Sequence, residues 1–195
     1  MRLARIKKNE DRSKRERKGA VFMEEIIYRK LKIEEAKKYW DMMNELDKET
    51  KFMMYEPGER EEKAMNLQEL KRGIQHAIKE KDFLLIAEVN EQIVGYLSAE
   101  RGVPNRIKHT AYVVTGIREQ YRGRGIGKEL FKRLDLWARA NHITRLELTV
   151  ICNNSIAKKL YEKNGFSVEG VKKNSMIIDG EYVDEFYMAK ILDEK

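Results

Sequence analysis

One cysteine, two prolines and three histidines among 195 residues remove several kinds of protein at the outset. Cys152 alone cannot close an intrachain disulfide, so a stapled secreted scaffold is excluded and a reducing compartment fits. His76, His109 and His142 are scattered, and with a single cysteine they give no metal-ligand spacing. A metal centre is therefore not expected. No apolar run approaches the roughly 18 residues of a membrane span, and the N-terminus carries no apolar signal segment. The chain is expected in the cytoplasm, away from membranes.

What the sequence has is a core and a lopsided charge. Hydrophobic residues make up 42%, too many for a disordered chain, and the length favours one domain. Net charge is +7, yet residues 1–18 hold nine Lys or Arg against Glu10, Asp11 and Glu16, which is six of those seven charges. The basic character thus belongs to a tail. Residues 1–22 read as a basic, disordered extension of a domain covering 23–195, and Met23-Glu24-Glu25 suggests an alternative start. Such an arm, through residues 1–18, is also the one place where nucleic acid or an acidic partner could be touched.

Periodicity orders the rest. Residues 26–31 form a strand pattern, and Ala36, Tyr39, Trp40, Met43 and Leu46 fall on one helix face. An aromatic, Met-rich loop over 52–59 closes on Pro57-Gly58. A helix over 67–79 precedes a hairpin of 83–89 and 92–99, and a further strand starts near Thr110. After a glycine-rich turn, Ile126, Leu130, Leu134, Trp137 and Ala138 mark a helix that Asn141 ends. Then come a strand at 146–150, a helix capped at Asn153-Asn154-Ser155 and stopped by Asn164-Gly165, and two strands over 166–171 and 182–191. Asp179-Gly180 is a hairpin signal between these last two. The order β-α-α-β-β-β-α-β-α-β-β is mixed α/β and its hairpins rule out a purely parallel sheet.

The informative stretch is Thr115 to Lys128, a strand, a short turn and glycines 123, 125 and 127 opening a helix. The first amides of a helix lack intrahelical partners and sit at the positive end of its dipole, so this is an anion cradle. It is not a nucleotide P-loop, because Gly127-Lys128 is followed by Glu129 in place of Ser or Thr. Nor is it a dinucleotide fingerprint, whose first glycine follows the strand directly; five residues separate Ile117 from Gly123.

Gln120-Tyr121-Arg122-Gly123-Arg124-Gly125 does match the Gln/Arg-x-x-Gly-x-Gly/Ala signature of the GCN5-related N-acetyltransferase (GNAT) superfamily. A second block, Asn154 to Phe166, resembles that family's Asn-x-x-Ala-x-x-Leu-Tyr-x-x-x-Gly-Phe segment. The resemblance implies a GNAT fold, an α/β (mixed α+β) domain with a mostly antiparallel twisted sheet of six to seven strands and four flanking helices. It implies acetyl-CoA as co-substrate and a primary amine as acceptor. It further implies that the backbone of Thr115, Gly116 and Ile117 holds the pantetheine arm. The pyrophosphate would lie on Gly123, Arg124, Gly125, Ile126, Gly127 and Lys128. Asn154 would contact the cofactor besides capping its helix, and Tyr161 would act as general acid toward the departing thiolate. Where some members carry a glutamate base this chain has Thr149, so Glu147, on the same strand face, is the candidate base; His109 and Glu100 are weaker ones.

The family's acceptor groove would fall between the 52–55 loop and the 174–186 region, where Glu181, Asp184 and Glu185 could attract a cation. The closing Asp179–Met188 segment resembles ribosomal-protein and polyamine-type acetyltransferases, so a small polyamine-like amine or a protein N-terminus is the expected acceptor. Homodimers are common in the family. The alternative function is a nucleic-acid- or ribosome-associated protein using its basic arm on a GNAT scaffold.

Overall fold

The computed structural model describes residues 24–63 and 67–192; the basic segment and the alternative start at Met23 lie outside them. The described residues form seven strands: β1 (Ile27–Lys30), β2 (Phe83–Val89), β3 (Gln92–Arg101), β4 (Thr110–Ile117), β5 (Arg145–Ile151), β6 (Ser167–Ile178) and β7 (Glu181–Ile191). They form one sheet in the order β1-β2-β3-β4-β5-β7-β6. Every neighbouring pair is antiparallel except β4–β5.

The described residues form five α-helices: α1 (Ala36–Glu49), α2 (Glu59–Lys63), α3 (Leu67–Ile78), α4 (Ile126–Ala140) and α5 (Ser155–Lys163). The five-residue α2 was not expected. Its sequence, Glu-Arg-Glu-Glu-Lys, has no apolar residue and hence no period to read. The last hairpin is also longer than its pattern suggested, because β6 runs on for twelve residues to the Asp179-Gly180 turn. Both turn residues adopt positive φ, 52° and 84°, as a two-residue hairpin requires.

Two cores sandwich the sheet. Alternation in β2 sends Leu85, Ala87 and Val89 to one face, where Ile126, Leu130, Phe131 and Leu134 of α4 meet them. Ile86 faces the other way and packs with Tyr39, Met43, Leu46, Leu70 and Ile74 of α1 and α3. Burying each such side chain contributes about 1.5–3 kcal/mol, so two opposed faces of apolar residues are what hold helices to both sides. Helix α5 ends cleanly: Gly165 N–H bonds Glu162 C=O (3.0 Å) and Phe166 N–H bonds Tyr161 C=O (3.1 Å), with Gly165 at φ 90°. That closure fixes Tyr161 and Phe166 against Phe131, at ring separations of 5.9 and 5.7 Å.

No helix among the described residues is long and apolar enough to cross a membrane, and none of their His, Cys, Asp and Glu side chains group as a metal site.

Candidate active site

Strands β4 and β5 pair only through Thr110, Ala111 and Tyr112 against Arg145, Leu146 and Glu147. Beyond that point β4 continues, paired with β3 alone, from Val113 to Ile117. One edge of β4 therefore carries backbone amides and carbonyls with no strand beside them. Such groups need partners when dry.

A cleft of about 350 Å³ opens there. It is lined by Thr115, Gly116 and Ile117 of β4, by Gly123, Gly125, Ile126, Gly127 and Lys128 of the loop and α4, and by Asn154 and Tyr161. Ten of the expected site residues thus come together, from three elements. In the opposite wall Met53 belongs to the loop expected at the acceptor groove, whereas Leu46 and Thr50, from the end of α1 and the residue after it, were not expected. Nothing in α1's period distinguishes a helix end that lines a cleft from one that packs a core.

The loop is shaped by its glycines in two different ways. Gly123 and Gly125 stand at φ 75° and 81°, and a Cβ there would meet nothing within 4 Å. Their role is the left-handed backbone, not clearance. At Gly127 a Cβ would lie 3.1 Å from Leu160 Cδ2, so this glycine permits close packing of α4 on α5. The first backbone hydrogen bond from the start of α4 is donated by Glu129 to Gly125 C=O at 3.2 Å, which leaves the preceding amides outside the helical ladder. Arg122 Nε donates to Ile117 C=O at 3.0 Å and ties the loop back to the strand end.

Arg124 is turned away from the cleft lining. Its guanidinium pairs with Glu24 at 3.1 Å and lies over the Tyr121 ring. Glu147 is likewise outside the lining: Arg145 Nε donates to it at 2.8 Å, and the same guanidinium donates to Glu169 at 3.0 Å. Thr149, two residues on, has its hydroxyl 2.9 Å from that of Tyr112. Glu100 is exposed, opposite Tyr112, and His109 is exposed in the loop before β4. Two of the three acidic residues expected in the last hairpin are occupied: Asp184 accepts from Lys173 Nζ (2.7 Å) and Asn174 N–H (2.9 Å), and buried Glu185 accepts from Ser175, while Glu181 is exposed beside the turn.

Asn154 caps α5, its Oδ1 accepting from Ala157 N–H at 3.1 Å, while also lining the cleft. Tyr161 is 8% exposed and makes no hydrogen bond through its hydroxyl among the described residues. Burial pushes its phenol well above the usual tyrosine range, so it stays a neutral O–H donor. A network the sequence did not reveal holds the walls together. Glu49, at the end of α1, accepts from Arg118 Nε (2.7 Å) and from Glu119 N–H (2.8 Å) just beyond β4. Arg60, buried, grips Asp47 at 2.6 and 3.0 Å and lies over the Tyr55 ring, which fixes the 51–58 loop on α1. These partners are far apart in sequence and give no local signal.

Residues 40–166 match the sequence model of the Acetyltransferase (GNAT) family. The chain is 33% identical over 111 residues to the L-amino acid N-acetyltransferase AaaT of Escherichia coli K12, covering 55% of this chain and 67% of that one. Its fold is similar to an acetyltransferase of the GNAT family from Streptococcus pneumoniae, with a TM-score of 0.80 at 24% identity over 87% of this chain and all of the other. It is also similar to yncA, an acetyltransferase from Salmonella typhimurium solved with its cofactor acetyl-CoA (TM-score 0.74, 17% identity, 87% and 95% covered). A splayed strand pair beside an amide-rich helix start accords with that kinship, and with the family match spanning well over half its length this chain belongs to the GNAT family of acetyltransferases.

Proposed function

We propose that the chain moves the acetyl group of acetyl-CoA to a primary amine, with the cleft between β4, α4 and α5 as the donor site. The observation that carries this is the unpaired edge of β4 from Val113 to Ile117, which opens onto the start of α4. An extended amide-bearing chain laid along that edge would satisfy backbone groups that β5 leaves free. The amides of Gly123, Gly125, Ile126, Gly127 and Lys128 would receive the pyrophosphate, since these residues line the cleft at the positive end of the α4 dipole. Asn154 at the mouth of α5 would contact the cofactor as well as cap the helix.

When bound, acetyl-CoA supplies a thioester whose thiolate leaves as the amine attacks. Tyr161 serves the leaving sulfur by presenting a neutral O–H from inside the cleft. Glu147 receives no step here, because its carboxylate is engaged by Arg145 and lies outside the cleft lining. The amine arrives neutral or loses its proton to water; an α-amine, with pKa near ~8, has a usable neutral fraction at pH 7–8.

The test is thermal denaturation with acetyl-CoA followed by thiol release over a panel of amines. Binding at ~100 times Kd stabilises the fold by about 2.7 kcal/mol, a shift of several degrees. No shift at saturating acetyl-CoA, with no thiol released, overturns the proposal.

A further inference from the structure

A second cavity, of about 520 Å³, adjoins the donor cleft at the place where the family resemblance puts the acceptor groove. It lies between the last turn of α1, the loop after it and the tip of the β6–β7 hairpin. Thr50 and Met53 line both cavities, so the two lie side by side. Its apolar wall is Met53, Met54, Tyr55, Met176, Ile177 and Ile178. Met54 is 69% and Ile177 59% exposed, large apolar groups left facing the opening.

The charges around this groove are taken up by one another. Asp47 is held by Arg60 at 2.6 Å, Glu49 by Arg118 at 2.7 Å, and Lys48 by Glu45 at 2.9 Å. Lys51 pairs with Asp179 across the mouth, loop to hairpin tip. Glu56 is the one carboxylate of the lining outside these pairs. A polyamine brings two or more ammonium groups, and each loses hydration on entering unless an unpaired carboxylate meets it. This lining offers one such carboxylate. Slightly more than half of its accessible lining is apolar, thioether and branched aliphatic surface above all, and methionine is the side chain that best adapts to another apolar body.

We propose that this groove receives a large apolar side chain of the acceptor, and that the acceptor is an α-amine bearing such a side chain, of methionine or leucine type, in place of a polyamine. This rests on the reading of the adjoining cleft as the acetyl-transfer site. With Thr50 and Met53 common to both linings, the α-amine would stand in the cleft beside Tyr161 while its side chain fills the groove. A free amino acid and a peptide N-terminus share this chemistry.

The experiment measures thiol release from acetyl-CoA by the full-length chain, with acetyl-CoA affinity followed separately by calorimetry. Acceptors are L-methionine, L-leucine and L-aspartate as free amino acids, Met-Ala-Ala and Asp-Ala-Ala as peptides, and spermidine. The expected result is kcat/KM at least about tenfold higher for the apolar member of each pair, the discrimination an apolar pocket supports, with spermidine below both apolar acceptors. The free and peptide arms tell which source is used. Ile177→Asp, at an exposed position, should lower kcat/KM for the apolar acceptor about tenfold and leave acetyl-CoA affinity unchanged, while Ile177→Leu restores it. Spermidine turned over as well as the apolar amines, no α-amine turned over, or Ile177→Asp leaving the preference intact, each with acetyl-CoA still bound, would overturn the acceptor assignment alone. Failure to bind acetyl-CoA would overturn the transfer reading together with it.

Discussion

Replacing Tyr161 with phenylalanine removes one oxygen from the cleft and little else. The ring stays packed edge-on against Phe131 at 5.9 Å and tilted against Phe166 at 6.1 Å, and the lost hydroxyl leaves no described hydrogen-bond partner stranded. Fold stability should therefore change by less than about 1 kcal/mol. A positioned general acid contributes about 10²–10⁴-fold. Burial holds this phenol above its ordinary pKa, so handing a proton to a thiolate whose thiol has an ordinary pKa of about 8.5 runs uphill. The effect thus belongs at the low end, about 10²-fold in kcat or ~2.7 kcal/mol at 1.36 kcal/mol per decade. Steady-state thiol release at saturating acceptor measures it, with acetyl-CoA affinity expected to move less than about threefold. The pH dependence checks the same argument independently. Because Tyr161 remains protonated throughout the range below pH 10, Tyr161→Phe should lower the whole kcat profile without changing its shape, whose rising limb belongs to the acceptor amine. A kcat within about threefold of the wild type refutes the acid role. An alkaline limb present in the wild type and absent in the variant refutes the burial argument.

Gly116→Ala places a Cβ 2.8 Å from Leu46 Cδ1 and 3.1 Å from Tyr96 Cε1; overpacking of this kind costs about 1–3 kcal/mol, read as a lower denaturant midpoint, and pushes Leu46 at the cleft wall. Asn154→Ala loses the cap of α5, about 1 kcal/mol, and calorimetry should show weaker acetyl-CoA binding as well; Asn154→Ser should recover the stability before the affinity. Arg29 holds Glu35 by two 2.7 Å hydrogen bonds and keeps its carboxyl at about 2 against an ordinary 4.5. A carboxyl lowered on folding stabilises above its unfolded pKa, so this contribution, about 1 kcal/mol at most for a solvent-accessible pair, is present above about pH 4.5 and lost toward pH 2. Acid titration of the unfolding midpoint should be correspondingly shallower in Glu35→Gln.

Much of this architecture is legible from residue spacing because each element carries a period. Leu130, Leu134 and Ala138 announce α4, and Asp179-Gly180 announces the last hairpin. Helix α2 was not legible, since five charged residues carry no period. One wall of the cleft could be read because the glycine signature and the Asn154 block are local. Its other wall was harder to read: Leu46, Thr50 and Met53 reach the cleft through long-range apolar packing, with Glu49 bridging 69 and 70 positions to Arg118 and Glu119. Glu147 shows the same limit from the other side. Strand alternation correctly put it on the face of Thr149, but alternation carries no information about Arg145 and Glu169 claiming that face through a shared guanidinium.

The short β4–β5 pairing also has a mechanical side. Among the described residues three residue pairs stitch β1–β4 to β5–β7–β6 within the sheet, and the further links are the apolar contacts of α4 and α5, the Tyr112–Thr149 hydroxyl contact, the bonds to His109 C=O and the exposed Lys51–Asp179 pair. The sheet is in effect two panels with a seam that opens toward the cleft. Cooperative units of a protein are set by such boundaries, so amide hydrogen exchange should divide the empty protein along this line. A donor laid along Val113–Ile117 and anchored on α4 then works as a splint across the seam, and the two panels should exchange as one when it is present.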